Sequence, residues 1–159
     1  YALINHTPGG GTFFARKWGV ISELNKNSPQ MKFLASKYTE FDGKQTAEAV
    51  DGWIDKFAGN LKGVILADDY MAPEVIKALK DNRREDIVLA VSGCSKRALD
   101  GIKNASIYAA TYQPPERDGA LALYVAVQWL SGKKVPPLIY MPVHIITAID
   151  VDEYYPAQF

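Results

Sequence analysis

The sequence has a single cysteine, Cys94, among its 159 residues. A lone cysteine excludes an internal disulfide and any metal site built from several thiolates. Long apolar runs are also missing, because no uninterrupted stretch reaches the length of about 18 residues that a membrane-spanning helix needs. The glycine cluster Gly9-Gly10-Gly11 fits neither the dinucleotide-binding nor the P-loop pattern, since Phe14 stands at the last glycine and the P-loop lysine is absent. Phosphate binding there is therefore disfavoured.

Neither sign of charge is in excess. Lysine plus arginine and aspartate plus glutamate each number 18, so the formal net charge is zero. Phosphate backbones are bound by clustered, uncompensated basic charge, and the balance therefore argues against nucleic acid as the main partner. The hydrophobic share of 48% and the charged share of 23% are those of a globular domain rather than a disordered chain.

Short apolar runs alternate with amphipathic stretches along nearly the whole chain. The apolar runs predict strands at Ala2–Ile4, Met31–Ala35, Gly63–Ala67, Asp86–Val91, Ile107–Ala110 and Leu138–Ile146. The amphipathic stretches predict helices at Thr12–Leu24 (with Thr12 as the N-cap), Thr46–Phe57, Ala72–Leu79, Lys96–Lys103 and Arg117–Leu130. Continuous apolar strands are typical of parallel strands covered on both faces. The alternation therefore predicts an α/β fold, a doubly wound, mainly parallel open sheet of the flavodoxin-like kind.

In such sheets ligands bind at the carboxyl ends of the strands, near a switch in strand order. The loops after the predicted strands carry acids, aromatics and an amide but little nucleophilic chemistry. That mixture suits a polar ligand held by hydrogen bonds and ring stacking better than it suits catalysis. We therefore expect a binding protein rather than an enzyme, with neither a catalytic residue, a metal nor a cofactor.

Five segments, in chain order, resemble the sugar-binding proteins of bacterial ABC importers, such as the ribose- and galactose-binding proteins. The clearest is Ala67-Asp68-Asp69-Tyr70-Met71-Ala72, which is similar to the family's Asn-Asp-x-Met-Ala signature. The other segments that carry the resemblance are Gly11–Gly19, Ala35–Asp42, Ala109–Pro115 followed by Gly119, and Pro142–Ile146 followed by Val151–Pro156.

The resemblance implies a type I periplasmic-binding-protein lobe. In that family two lobes joined by three crossovers close on a sugar, polyol or similar molecule and deliver it to a membrane permease. By this analogy residues 1–159 are the carboxy-terminal lobe, and residues of about 114–135 pack on an amino-terminal lobe that this sequence lacks. The resemblance implies a location in the periplasm or, in a Gram-positive host, outside the cell and attached to the membrane by an anchor. Exposure of the lobe-facing surface makes a homodimer of the chain conceivable.

The same resemblance assigns ligand-binding positions one at a time. Trp18 stands where the family often has a ligand-binding arginine, and Phe41 matches the aromatic that stacks on the ligand ring. Asp68 occupies a position usually held by asparagine, and Gln113 matches the crossover amide. The family's aspartate after the fourth strand is missing from Ser92–Ser95. These departures leave the identity of the ligand open between a deoxysugar, a polyol and a non-sugar cyclic molecule.

Structural roles compete with each of these assignments. Trp18 has core spacing on its helix, and Gln113 precedes two prolines and could hold a turn. Asp69 is expected to cap the helix after the third strand, with Asp68 left for the ligand. Phe41 lies in a polar segment, which favours ligand contact over core packing.

Other functions remain alternatives. The main one is the effector-binding domain of a lactose-repressor-type transcription regulator, which shares the fold. A flavodoxin-like enzyme is disfavoured because no nucleophile–base constellation is apparent. Cys94 precedes a short helix that could lower its pKa, but no histidine is near it in sequence. His144 lies in an apolar strand and is expected to be a satisfied core residue.

Overall fold

The computed structural model describes residues 1–157. Its elements are β1 (Ala2–Asn5), α1 (Gly11–Asn27), β2 (Ala35–Tyr38), α2 (Gly43–Phe57), β3 (Gly63–Leu66), α3 (Ala72–Asp81), β4 (Val88–Ser92), α4 (Lys96–Lys103), β5 (Ala109–Tyr112), α5 (Pro115–Leu130) and β6 (His144–Thr147). Short 3-10 turns lie at Ala58–Asn60, Asp69–Met71 and Val151–Tyr154. Within residues 1–157 no helix combines the length and the apolar character that crossing a membrane requires.

The six strands form one sheet in the order β2-β1-β3-β4-β5-β6. Neighbours from β2 to β5 are parallel, and only β6 runs antiparallel, against β5. Strand order changes direction at β1, which lies between β2 and β3. The predicted α/β fold with a mainly parallel open sheet is confirmed, and the carboxyl ends of β1 and β3 mark the switch point where such sheets bind ligands.

The hydrophobic core lies between the sheet and the layer formed by α2, α3 and α4. Helix α2 packs on α3, and α3 on α4. Fully buried side chains from this layer and the sheet fill the space between them, among them Ile4, Leu66, Leu89, Val50, Val75, Leu99 and Ile102. Each such side chain is worth about 1.5–3 kcal/mol relative to full exposure, so this layer supplies most of the stability of the lobe.

The opposite face of the sheet is less covered than its apolar strands suggested. The connection from β1 to β2 runs across the sheet in the direction opposite to the later crossovers. A right-handed crossover therefore places helix α1 on this face, where it packs on β1. On β4 and β6, Val88 and Ile145 are 49% and 51% exposed. Among the described residues, coverage of both faces was therefore predicted wrongly for this part of the sheet.

Two strands differ from prediction. The apolar run Met31–Ala35 predicted the second strand, but β2 is Ala35–Tyr38. Because β2 is an edge strand, its residues need little hydrophobicity. The apolar residues Met31, Phe33 and Leu34 lie before the strand, and the Leu34 N–H donates to the Tyr1 carbonyl oxygen at 2.8 Å. The last strand was predicted over Leu138–Ile146, yet only His144–Thr147 joins the sheet. Prolines at 136, 137 and 142 lack the N–H that a strand ladder needs. The other elements begin and end within three residues of prediction.

Helix starts also differ from their predicted capping. Helix α1 begins at Gly11 with Gly10 as its N-cap, so Thr12 lies inside the helix rather than at its cap. Helix α2 begins at Gly43, where Asp42 Oδ1 accepts from the Gln45 N–H at 2.7 Å. A side-chain acceptor at this position satisfies one of the free N–H groups of the first turn.

A buried carboxylate holds the loop after β4. Asp69 is 8% exposed, and its Oδ2 accepts from the Ser95 N–H at 2.7 Å. Gly93 in this loop has φ +103°, and a Cβ there would lie 2.9 Å from Asp69 Oδ1. The position therefore needs glycine both for its backbone angle and for the close approach of Asp69.

We expect Gly93→Ala to destabilise the fold by about 1–3 kcal/mol, because the alanine would be strained and would displace Asp69. The matched control is Gly52→Ala in the middle of α2, where a Cβ meets nothing within 4 Å. That change should stabilise by about 0.5–1 kcal/mol. Thermal unfolding of the two variants should therefore shift in opposite directions, and an unchanged Gly93→Ala midpoint would contradict the tight packing of this loop.

Candidate functional site

Polar side chains meet at the carboxyl edge of the sheet, above β3 and β5. Asp68 follows β3 and Gln113 follows β5, while Arg16 extends from the second turn of α1. The side chain of Arg16 is 23% exposed, and that of Asp68 is 31% exposed. Partial exposure at the switch point leaves these groups reachable by a ligand yet shielded enough for their hydrogen bonds to matter.

Arg16 links the other two residues. Its Nη1 donates to the Ala67 carbonyl oxygen and lies 3.7 Å from Asp68 Oδ2. Its Nη2 donates to Gln113 Oε1 at 3.4 Å, a long hydrogen bond. The guanidinium thus spans from the end of β3 to the end of β5. We call Arg16, Asp68 and Gln113 the polar cluster.

Asp68 and Asp69 do not divide the roles as expected. Asp68 is the capping residue: its Oδ1 accepts from the Tyr70 N–H at 3.0 Å, at the start of the turn Asp69–Met71. Asp69 instead turns inward to the loop after β4, so its predicted capping role is wrong. Capping uses only one Asp68 oxygen, and Oδ2 faces Arg16. Ligand binding by Asp68 stays a prediction.

Phe41 lies at the same edge, beside β2 and β1, in a separate aromatic group. Its ring meets His6 edge-on at 5.1 Å and Tyr38 at 6.2 Å between centroids. Glu40 and Phe41 have φ of 54° and 58°, which non-glycine residues seldom adopt. Such strain clusters at functional sites, where surrounding structure holds the residue in place. The ring is also partly buried and packs against the hydrophobic core, so the expectation that its polar segment disfavours core packing is wrong. Ring stacking on a ligand by Phe41 stays a prediction.

Trp18 stands apart from the polar cluster. Its side chain is 55% exposed on α1, with Lys17 Nζ 5.5 Å from its ring centroid. The core role that its helical spacing allowed is therefore not what the structure shows, and Phe14, one turn earlier, is 51% exposed as well. Of the four ligand positions predicted from the resemblance, the structure joins Asp68 and Gln113 through Arg16, and it places Phe41 and Trp18 elsewhere.

Arg16 was missed by the sequence comparison with the sugar-binding family. The resemblance places the ligand-binding guanidinium at position 18, where this sequence has a tryptophan. The signal was present two residues earlier, in Ala15-Arg16-Lys17-Trp18-Gly19, because an arginine in the second turn after a strand–loop junction can reach back to the strand ends.

Cys94 and His144 do not form a nucleophilic pair in the described part of the chain. Cys94 is 5% exposed, and burial, together with the nearby Asp69 carboxylate, raises the pKa of its thiol to about 12. His144 is not a core residue: its side chain is 55% exposed and its Nε2 is hydrogen bonded to Asp150 Oδ2 at 2.8 Å. The sequence predicted that His144 would be hydrogen bonded and buried. The hydrogen bond is confirmed, and the burial was predicted wrongly. Across residues 1–157 no group of three or more His, Cys, Asp or Glu could hold a metal ion.

The polar cluster offers both donors and acceptors to a ligand. Arg16 has N–H groups beyond those already bonded, Asp68 Oδ2 can accept, and the Gln113 amide can do either. A hydroxyl is both donor and acceptor and matches this mixture. The chemistry available is recognition by hydrogen bonds, since nothing in the cluster is an activated nucleophile.

Two known proteins are similar to this chain in sequence. The chain is 23% identical over 152 residues to a xylitol-binding protein of Mycolicibacterium smegmatis, covering 94% of the chain and 43% of that protein. It is 32% identical over 88 residues to the ribose import binding protein of Bacillus subtilis, covering 55% of the chain and 28% of that protein.

Among solved structures, an ABC transporter periplasmic solute-binding protein from Actinobacillus succinogenes with bound D-allose superposes with a TM-score of 0.84. It is 18% identical and matches 96% of this chain and 53% of its own. The chain therefore spans about half the length of the proteins it matches. The family model described as periplasmic binding protein domain matches residues 1–134. That match covers most of the sequence and confirms the resemblance: the chain belongs to the periplasmic binding protein domain family.

Proposed function

We propose that the chain is the carboxy-terminal lobe of the solute-binding protein of an ABC importer, and that it binds a neutral sugar or polyol. The observation that carries the proposal is the polar cluster, in which Arg16 joins Asp68 and Gln113 at the carboxyl edge of the sheet. Such edges are where open α/β sheets bind their ligands. The similarity of the chain to the sugar- and polyol-binding proteins named above supports the same class of ligand.

The charges of the cluster favour a neutral ligand. The Arg16 guanidinium already balances the Asp68 carboxylate at 3.7 Å, so an ammonium group would meet a compensated acid and a nearby cation. A hydroxyl can accept from Arg16 and donate to Asp68 without changing the net charge of the site. Hydrogen bonds to charged partners are the stronger ones, worth about 1.5–3 kcal/mol each. Phe41 would add a ring against an apolar sugar face.

The exposure of α5 supports a second lobe. Large apolar side chains on this helix are mostly exposed: Leu123 67%, Tyr124 61%, Val127 49%, Trp129 68% and Leu130 84%. The connecting segment continues the pattern with Leu138 at 63% and Tyr140 at 82% exposed. Contiguous apolar surface of this kind marks an interaction site. We propose that residues of about 114–135 pack on an amino-terminal lobe and that the ligand is enclosed when the two lobes close about the crossovers.

The partners follow from this assignment. A closed, ligand-loaded receptor would dock on the membrane permease of its importer, in the periplasm or, in a Gram-positive host, outside the cell on an anchor. Binding and release need no chemistry, and we propose that the chain is not an enzyme and needs no cofactor. Closure is favoured by ligand contacts that exist only when the lobes meet.

Ligand binding is tested in a protein that contains both lobes, by thermal shift and calorimetry with xylitol, D-ribose, D-allose and, as an ammonium-bearing probe, glucosamine. Ligand at about 100 times its dissociation constant should add roughly 2.7 kcal/mol of stability. Asp68→Ala should weaken binding at least about tenfold, since a hydrogen bond to a charged acceptor is lost.

The matched control is Asp55→Ala, an exposed aspartate of α2 on another side of the lobe. It should bind as the parent does. Tight binding of glucosamine in preference to the neutral probes would contradict the charge argument. An Asp68→Ala variant with parental affinity would remove the polar cluster from the ligand site.

Exposed α5 predicts that the 159-residue chain associates with itself. Sedimentation velocity should show a monomer–dimer equilibrium that moves toward monomer in Leu123→Glu, because a charge is then buried in the apolar contact. The control is Ile149→Glu, at a side chain that is 97% exposed but lies beyond β6. A strictly monomeric chain at high concentration would contradict the proposal that α5 needs a partner surface.

A binding role without covalent chemistry predicts an inert thiol. With a pKa of about 12, Cys94 is thiolate in only roughly one molecule in ten thousand at pH 8. Alkylation by iodoacetamide, followed by mass spectrometry, should be slow in the folded chain and rapid in guanidinium chloride. Rapid modification of the native protein would return Cys94 to consideration as a reactive group.

A further inference from the structure

The chain leaves and rejoins the sheet at one place. Tyr112 is the last residue of β5, His144 is the first residue of β6, and the two are partners in the antiparallel register. Helix α5 and the segment up to residue 143 depart and return between them. A movement of α5 and the segment up to residue 143 relative to the sheet would therefore act on the backbone at Tyr112 and His144.

Tyr154, in the turn Val151–Tyr154, contacts both members of this pair. Its ring meets Tyr112 edge-on with centroids 4.9 Å apart and an interplanar angle of 65°. It stacks on His144 with centroids 5.7 Å apart and an angle of 22°. The Tyr154 ring thus contacts the last residue of β5 and the first residue of β6, which are register partners.

The turn that carries Tyr154 is fixed to the lobe from two sides. Asp150 Oδ1 accepts from the Thr147 N–H at 2.8 Å, and Oδ2 is hydrogen bonded to His144. The Thr147 N–H, and next the His144 side chain, lower the pKa of Asp150, so this acceptor stays charged near neutral pH. On α4, Lys103 Nζ is 2.6 Å from Asp152 Oδ1, and Asp100 accepts from the Tyr155 hydroxyl.

We propose that Tyr154 is a positioning residue, which braces the crossover and thereby holds Gln113 within reach of Arg16. Gln113 directly follows Tyr112, and its hydrogen bond to Arg16 is long, at 3.4 Å, so a small displacement of Tyr112 would break it. The consequence for ligand affinity rests on the proposed function. The bracing itself does not, and it is measurable in the chain without ligand.

Hydrogen exchange of the 159-residue chain, followed by mass spectrometry, tests the brace. Tyr154→Leu keeps an apolar side chain but loses both ring contacts, and exchange in residues 109–118 should accelerate on the order of tenfold. Exchange in residues 61–67, which contain β3, should stay unchanged. Tyr154→Phe keeps the ring and should restore the parental rates.

Two further variants complete the test. Tyr108→Leu also replaces a tyrosine by leucine, just before β5, where the side chain is 70% exposed, and should leave residues 109–118 as in the parent. His144→Ala removes one of the two ring partners and should accelerate exchange locally to a smaller extent, which serves if Tyr154→Leu fails to fold. Equal acceleration in both segments, or in neither, would overturn the proposal. A parent that binds none of the sugar probes would count against the proposed ligand and leave this result standing.

Discussion

Parallel hydrogen bonding from β2 through β5 brings five carboxyl ends to one edge of the sheet. Residues far apart in sequence, such as Arg16, Asp68 and Gln113, become neighbours only because of this pairing. Strands β3 and β5 are not neighbours in the sheet, and the guanidinium of Arg16 links their ends by donating to the Ala67 carbonyl oxygen and to Gln113 Oε1. The site depends on the sheet for its position and on one arginine for its cohesion.

The lobe stabilises itself and its site by different means. One face of the sheet and the helices α2, α3 and α4 share a dry core, which fixes the strand ends that carry Asp68 and Asp69. The crossover that carries Gln113 is held instead by surface contacts, namely Arg16 on one side and the aromatic contacts of Tyr154 on the other. Fewer buried contacts thus hold Gln113 than hold Asp68 and Asp69, so we expect the segment that carries Gln113 to open more readily than the core.

The hydrophobic pattern was sufficient for the fold class and for most elements, since apolar runs and helical periodicity are set by the core that they bury. It failed at β2, whose edge position removes the need for apolar residues, and at the proline-interrupted run before β6. For α5 the helix itself was predicted correctly, but the pattern of its apolar residues did not predict that they are exposed in this structure.

Individual side chains were harder to place than elements. Adjacent residues such as Asp68 and Asp69 differ in role only through the direction of the chain as it leaves β3, and composition carries no information on that direction. Arg16 lies two residues before the position of the family's arginine, and a long side chain can serve a site from a neighbouring turn without occupying the motif position. Tyr154 and His144 come together through the path of the tail, which no local pattern specified.

The β2 edge of the sheet has a consequence for how copies of the chain can associate. Strand β2 forms one margin with only four residues, and Lys37 and Ser36 on it are exposed. A short edge with a charged side chain is a poor template for a strand from another molecule. Strand addition, which can propagate without limit, is therefore disfavoured at this edge.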